Sequence, residues 1–547
     1  MTKTCGVALM ILLSLVAGIN LHAQVGLLKQ TRNGAATSQM TASEIAQLGD
    51  PLFRLVLNRS PQPTQLDAIE SLLVGGQGTR HLFVVSEQLQ DATLGGSRRA
   101  VVAFSGTNST GAQSVRLDPN VMVSASFTDK GFAPTVEAWG WDGARSRYNY
   151  YRLDGQPLRW KFRGSSVDAD TLTAKDRADT CLACHINGGP VMRELPIPWN
   201  NWVSDRNPVS HLSATGRGHW LIAESSRFGD LKGAEDLEVS FILPAIRQFN
   251  VRRLNNLIRR SPAGQPVVTA GLQEIVDGPR ALRSLFDTTE YNITSSQQLS
   301  GLHPALEPAS RPPGPVDVPD AFFVDANLLT GGGPTQYAGL GIPEARQFGS
   351  LLRLEPVEYR TVVERFKTVL GNRQGDTNFA WFAPAASHID SHMIDLLIRR
   401  GVISQEFAAA VLATDVETPV LSKVRPLLLS FIPATFKFRP RDVDSVPAAH
   451  PDELTKAVIA SLSKVKPAPG TPQADFLEML KSRNPRATLR QRVRDYFERV
   501  RTKLGNPADR AAEIDRLYRA MLQRRFDAAA KIPALSDGLL FPAGSIN

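Results

Sequence analysis

Between His81 and Ser166 the chain consists of short apolar runs cut by turn residues, a pattern that leaves few folds other than an antiparallel sheet. His81-Leu-Phe-Val-Val, Ala100-Val-Val-Ala-Phe and Val121-Met-Val-Ser-Ala-Ser-Phe are rich in β-branched and aromatic side chains, with Gly, Asn, Asp and Pro between them. Thr135-Val-Glu-Ala-Trp-Gly-Trp then meets Asp142-Gly143, a hairpin signal, and returns as Arg147-Tyr-Asn-Tyr-Tyr-Arg-Leu. A second Asp-Gly pair, Asp154-Gly155, leads into Leu158-Arg-Trp-Lys-Phe. The expectation is a meander in which each strand pairs with the one before it.

After Leu237 the period changes. Phe241 to Ile258 and Pro279 to Phe286 read as helices, Pro304 to Pro319 as a Pro/Gly-rich linker, and the chain from Glu344 onward as mainly helical. Leu489 to Leu504 and Pro507 to Phe526 are Arg-rich amphipathic helices, whose arginines read as a solvated face. The glycine clusters at 331–333 and 339–341 lack the strand-before, helix-after setting of a nucleotide fingerprint. The expected fold is α+β, with an antiparallel β-rich N-terminal part and a mainly α-helical C-terminal part. The expected divisions are a leader at 1–23, a β-rich domain at 24–235, a helical connector with its linker at 236–320 and a helical domain at 321–547. A mature chain of about 520 residues is more than one core usually organises.

Where the sheet pattern ends stands Cys181-Leu182-Ala183-Cys184-His185. Cys-x-x-Cys also occurs as half of a zinc site or as a dithiol redox pair. Zinc would want a second compact ligand pair, with His211 or His219 supplying later ligands, but no cysteine follows Cys184. A redox dithiol would want a helix after the pair, whereas Ile186-Asn187-Gly188-Gly189-Pro190 breaks one. With the adjacent His included, the five residues resemble the attachment motif of c-type cytochromes. That resemblance implies one covalently bound haem c, with Cys181 and Cys184 as thioether attachment points and His185 as axial iron ligand. Small cytochromes of this kind carry the motif on an early helix. Here it follows a sheet, which is more similar to the c-type haem proteins whose haem is mounted beside β structure. Six of the seven tryptophans, Trp139, Trp141, Trp160, Trp199, Trp202 and Trp220, surround the motif, as haem-pocket walls or as ordinary core.

The N-terminus agrees with the motif. Lys3, an apolar run from Val7 to Ala17 and Leu21-His22-Ala23 form a cleavable secretory leader, too short in its core to span a bilayer. Export is expected to place the protein in the periplasm or outside the cell, with Cys5 leaving in the leader. The chain has 62 Lys+Arg against 53 Asp+Glu, and loss of Lys3 changes the net charge from +9 to +8. After export this excess points to a redox partner of acidic character or the anionic membrane surface through steering, or to a merely solvated basic surface, and not to nucleic acid. No second stretch is apolar enough to cross a membrane.

Function then turns on the second axial position. No methionine lies between Met192 and Met393, and Met192 is only seven residues past His185. A distal His or an open site is expected. His388 and His392 are the leading distal candidates, because Ser387-His388-Ile389-Asp390 has the form of a capping box and a spacing of four puts both rings on one helix face. His211 and His219 are the alternatives nearer in sequence. Three readings follow: an exported monohaem electron carrier; a haem-dependent oxidoreductase of peroxidase or oxygenase type, with His388 or His392 and Arg193 as catalytic groups; or a haem-based sensor.

Overall fold

The computed structural model describes residues 26–531, apart from segments of which 87–97, 191–230, 259–273, 295–314, 366–382 and 442–452 are the longest. It is an α+β molecule with a sheet-based N-terminal part and a helical C-terminal part. Nine strands form the sheet: β1 (Leu28–Gln30), β2 (Thr37–Gln39), β3 (Thr79–Ser86), β4 (Arg98–Ser105), β7 (Val121–Thr128), β8 (Gly131–Asp142), β9 (Arg147–Asp154), β10 (Arg159–Ser165) and β11 (Leu231–Lys232). A separate short pair, β5 (Thr107–Asn108) and β6 (Val115–Arg116), lies between β4 and β7.

The order across the sheet is β11-β3-β4-β7-β8-β9-β10-β1-β2. From β3 to β10 every pairing is antiparallel and sequential, as the alternating pattern predicts. Both Asp-Gly pairs close hairpins, Asp142 opposite Arg147 and Asp154 opposite Arg159, with Gly155 at φ +92°. The flanks differ from the meander. β1 joins β10 and β11 joins β3 in parallel, so segments from before and after the meander cover its two edges.

Strand alternation gives the sheet two apolar faces. On one, Leu82, Val102, Phe104, Val123, Val136, Tyr151, Leu153 and Trp160 pack against Leu52, Val56, Leu57, Ile69 and Leu73. These come from a π-helical turn (Phe53–Leu57) and the helix α2 (Leu66–Val74), which follows the short helix α1 (Ala42–Ile45). On the other, Phe83, Val101, Met122, Trp139, Trp141, Tyr148 and Tyr150 are covered by Leu182, by Leu237 to Phe249 and by Ile389. Each such large side chain contributes on the order of 1.5–3 kcal/mol by leaving water.

The covering helix on this second face starts as α3 (Ala234–Leu237), passes through a π-helical turn (Glu238–Ile242) and continues as α4 (Leu243–Leu257). Its far end leaves the sheet, and Leu254, Leu257 and Ile258 enter the C-terminal core. Residues 237–258 thus contribute to both cores. The C-terminal core is built on α5 (Gly278–Phe286), α6 (His388–Arg399), α7 (Gln405–Ala413), α8 (Arg425–Leu428), α9 (Glu453–Val465), α10 (Pro472–Lys481), α11 (Pro485–Gly505) and α12 (Pro507–Lys531). Ala408, Ala409 and Ala410 are fully buried, which lets α7 approach α11 closely.

Many arginines of the last helices are committed to ion pairs. Arg492 pairs with Asp475 at 2.6 Å, Arg510 with Glu358 at 2.8 Å, Arg516 with Glu513 at 2.6 Å and Arg519 with Asp515 at 2.8 Å. Arg492–Asp475 joins α11 to α10 and Arg510–Glu358 joins α12 to an earlier segment, whereas the Arg516 and Arg519 pairs lie within α12 and add little. No described helix is long and apolar enough to cross a membrane.

Candidate functional site

The motif starts as a single 3-10 turn, Cys181–Ala183, directly over the end of β10. Leu182 is fully buried among Trp139, Tyr148 and Phe249, and Cys181 packs at the margin of the same cluster. The chain then coils tightly: His185 N–H donates to the Cys181 carbonyl at 2.9 Å and Gly188 N–H to the His185 carbonyl at 2.8 Å. Gly188 turns the backbone at φ +68°, where a Cβ would stand 2.7 Å from the Ser166 backbone. Only glycine fits both the angle and the approach.

This turn aims the next carbonyl at the ring of His185. His185 Nδ1 lies 3.0 Å from the Gly189 oxygen. A carbonyl only accepts, so Nδ1 carries the proton, and in the neutral ring the lone pair resides on Nε2. Tyr150 on β9 donates its hydroxyl to the same oxygen at 2.7 Å, and its ring lies 4.8 Å from the imidazole at 34°. Tyr150 is 1% exposed, so its position is set by the sheet. A side chain on Gly189 would come 2.4 Å from Ile389 Cδ1, at the start of α6.

α6 forms as the sequence predicts, with Ser387 at its N-cap accepting from Asp390 N–H and Gly401 at φ +72° beyond its end. The capping box is not reciprocal. The Asp390 carboxylate turns away and accepts from the Ser284 hydroxyl of α5 at 2.7 Å, which joins the two helices. The helix does return some two hundred residues to the motif, and it meets the loop through Ile389.

The two imidazoles share one face of α6, and that face meets the helix covering the sheet. His388 Nε2 contacts the Glu238 carboxylate, and its Nδ1 is buried without a hydrogen-bond partner. His392 Nδ1 accepts from Asn250 Nδ2 at 3.2 Å, while the same amide group donates to the Ile389 carbonyl at 2.8 Å. Burial, with the Arg247 and Arg399 charges in support, lowers the His392 pKa from 6.5 to about 4, so this ring is neutral near pH 7. The neighbouring Asp395 carboxyl is pushed up by its own burial and held back by Arg399.

Of the tryptophans, Trp139 and Trp141 lie on the face that carries the motif, ring to ring with Tyr148 at 4.9 and 4.8 Å. Trp160 lies on the opposite face, because its cross-strand partner is Leu153, and its indole donates to the Pro63 carbonyl at 2.8 Å. Cys184, Met192, Arg193, Trp199, Trp202, His211, Trp220, His219 and the leader at 1–23 lie outside the described residues. Among the described residues no three His, Cys, Asp or Glu side chains gather as a cation site.

Tyr150, Gly189, Ile389, Glu238 and Asn250 are site neighbours that the sequence reading did not single out. A signal existed for two of them. Strand parity puts Tyr148 and Tyr150 on one face together, and the Gly188-Gly189 pair marks a close backbone approach as well as a helix break. Compared with known proteins, the chain matches no family model, no curated protein and no solved structure.

Proposed function

We propose that this chain is an exported c-type cytochrome that holds one haem through Cys181, Cys184 and His185 and carries electrons outside the cytoplasm. What supports this most is the orientation of His185. Its Nδ1–H is tied to the Gly189 carbonyl, which fixes the tautomer that presents Nε2 as a ligand nitrogen. A backbone acceptor on the outer nitrogen is the usual support of an iron-ligating imidazole, and it raises the basicity of the ligating one. The donor set fits a haem: the sequence supplies two cysteines and an adjacent imidazole within five residues, and Cys181 and His185 lie beside a buried aromatic cluster.

When bound, the haem supplies one-electron exchange between ferric and ferrous iron. The protein's own residues hold the ring of His185 in place, and Trp139, Trp141 and Tyr148 keep water from the buried side of the motif. The excess of basic residues favours an acidic redox partner through long-range attraction.

A second reading, a haem oxidoreductase, is favoured by the pairing of His388 with Glu238 beside the residue that touches the motif loop. A carboxylate-bound imidazole is suited to accept and return a proton. The ferrous spectrum of the full chain, produced with a c-type haem-attachment system, separates the two. A low-spin spectrum unchanged by carbon monoxide is expected for the carrier. A high-spin, carbon-monoxide-binding spectrum transfers the assignment to the enzyme, and a colourless product overturns both.

A further inference from the structure

One oxygen atom serves both the motif imidazole and a buried tyrosine. The Gly189 carbonyl accepts from His185 Nδ1 at 3.0 Å and from the Tyr150 hydroxyl at 2.7 Å. It has little freedom to favour one donor by moving. Gly188 has no room for even a methyl group against the Ser166 backbone, and Gly189 none against Ile389. Tyr150 is equally fixed, being fully buried on a central strand, opposite Trp139 in the register.

We propose that Tyr150 is a positioning residue that sets the donor strength of His185, and through it the reduction potential of the haem, by sharing the Gly189 carbonyl. This rests on the haem reading above. Two donors on one carbonyl draw on the same oxygen electron density, so each bond is weaker than it would be alone. The shorter Tyr150 bond limits how strongly the oxygen draws on the His185 Nδ1 proton. Less pull on that proton leaves Nε2 a weaker electron donor, which favours ferrous over ferric iron. The tyrosine hydroxyl therefore holds the potential above the value that an unshared carbonyl would give.

Tyr150→Phe tests this with little disturbance to the fold. The ring and its contact with His185 remain, and the Gly189 oxygen keeps one donor, so no buried acceptor is orphaned. In a redox titration of the full-length holoprotein, the ferric-to-ferrous ratio at any fixed potential should rise about threefold or more. That corresponds to a fall of about 28 mV, at 59 mV per tenfold for one electron. Tyr151→Phe removes the neighbouring buried hydroxyl on the opposite face of the sheet, one that donates to Asp50 at 2.6 Å. Its potential should stay at the parent value.

An unchanged or raised potential in Tyr150→Phe, or an equal fall in Tyr151→Phe, overturns the proposal. A readout without haem keeps this test apart from that of the function. In the haem-free full-length chain, the His185 Nδ1 proton, assigned by its loss in His185→Gln, should resonate further downfield in Tyr150→Phe than in the parent. No such movement also overturns the shared-carbonyl account, whether or not the chain binds haem.

Discussion

Tyr150 and Tyr151 are neighbours on one strand and point to opposite faces of the sheet. The Tyr150 hydroxyl goes to the Gly189 carbonyl beside the motif. The Tyr151 hydroxyl goes to Asp50 at 2.6 Å, a carboxylate with no exposed surface that also accepts from Asn149 at 2.8 Å and from Phe53 N–H at 3.0 Å. Burial pushes the Asp50 carboxyl up and these donors pull it back. The Asp50 face is closed by residues 27–73, which precede most of the strands they cover, and its polar hub is a side chain. The motif face is closed by Leu182, residues 237–249 and Ile389, and its hub is a backbone carbonyl that only a Gly-Gly turn can deliver. One sheet thus separates a face centred on a buried carboxylate from a face that carries the Cys181–His185 segment.

The separation can be broken or sharpened at four points. The largest effect is expected from the double substitution Cys181→Ala, Cys184→Ala, which should abolish covalent haem while the Asp50 face and the overall fold persist. Haem staining on a denaturing gel and far-UV circular dichroism read the two sides, and parental staining would contradict the assignment. Asp50→Ala leaves three buried donors without an acceptor and should cost about 3–5 kcal/mol in denaturant unfolding. The folded fraction should keep the parent haem spectrum, since Asp50 touches nothing on the motif face. A shifted spectrum would show that the two faces are coupled through the strand.

Gly188→Ala acts on the other face. A side chain at φ +68° that also meets the Ser166 backbone should cost about 2–3 kcal/mol and lower holoprotein yield more than it lowers the stability of the sheet. Equal yield and stability losses would count against a local role. The smallest effect near neutral pH is expected at His392. Its folded pKa of about 4 lies below the unfolded value of 6.5, so between those limits the unfolded chain binds the proton and the folded chain resists it. Stability should therefore be fully present above pH 6.5 and fall as the pH drops toward 4, by up to about 3 kcal/mol. His392→Gln, which retains an acceptor for Asn250, should flatten this dependence in melts at pH 7 and 4.5. An unaltered slope would place the acid sensitivity elsewhere.

The sheet was legible in the sequence because its signals are local. Alternating apolar runs and two Asp-Gly turns place six strands and their antiparallel order, and Ser387 with Gly401 brackets α6. The parallel edges were not legible, since nothing in Leu28–Gln30 or Leu231–Lys232 says which strand they join. At the site the sequence singles out Cys181 to His185 as the candidate motif, whereas the surroundings of His185 depend on contacts between residues far apart in the chain. Tyr150 is thirty-five residues before the imidazole and Ile389 about two hundred after it. The i, i+4 spacing put His388 and His392 on one face of α6, but which neighbour that face meets is decided by tertiary packing, and it meets Glu238 and Asn250. For Trp160, near the motif in sequence, the fold decides for ordinary core, on the opposite face of the sheet.

Intact mass measurement of the full-length protein under denaturing conditions, after production with a c-type haem-attachment system and treatment with a thiol-alkylating reagent, tests the central claim most directly. The account predicts a chain heavier by one haem, with Cys181 and Cys184 unalkylated. A chain of unmodified mass in which both thiols are alkylated would contradict it.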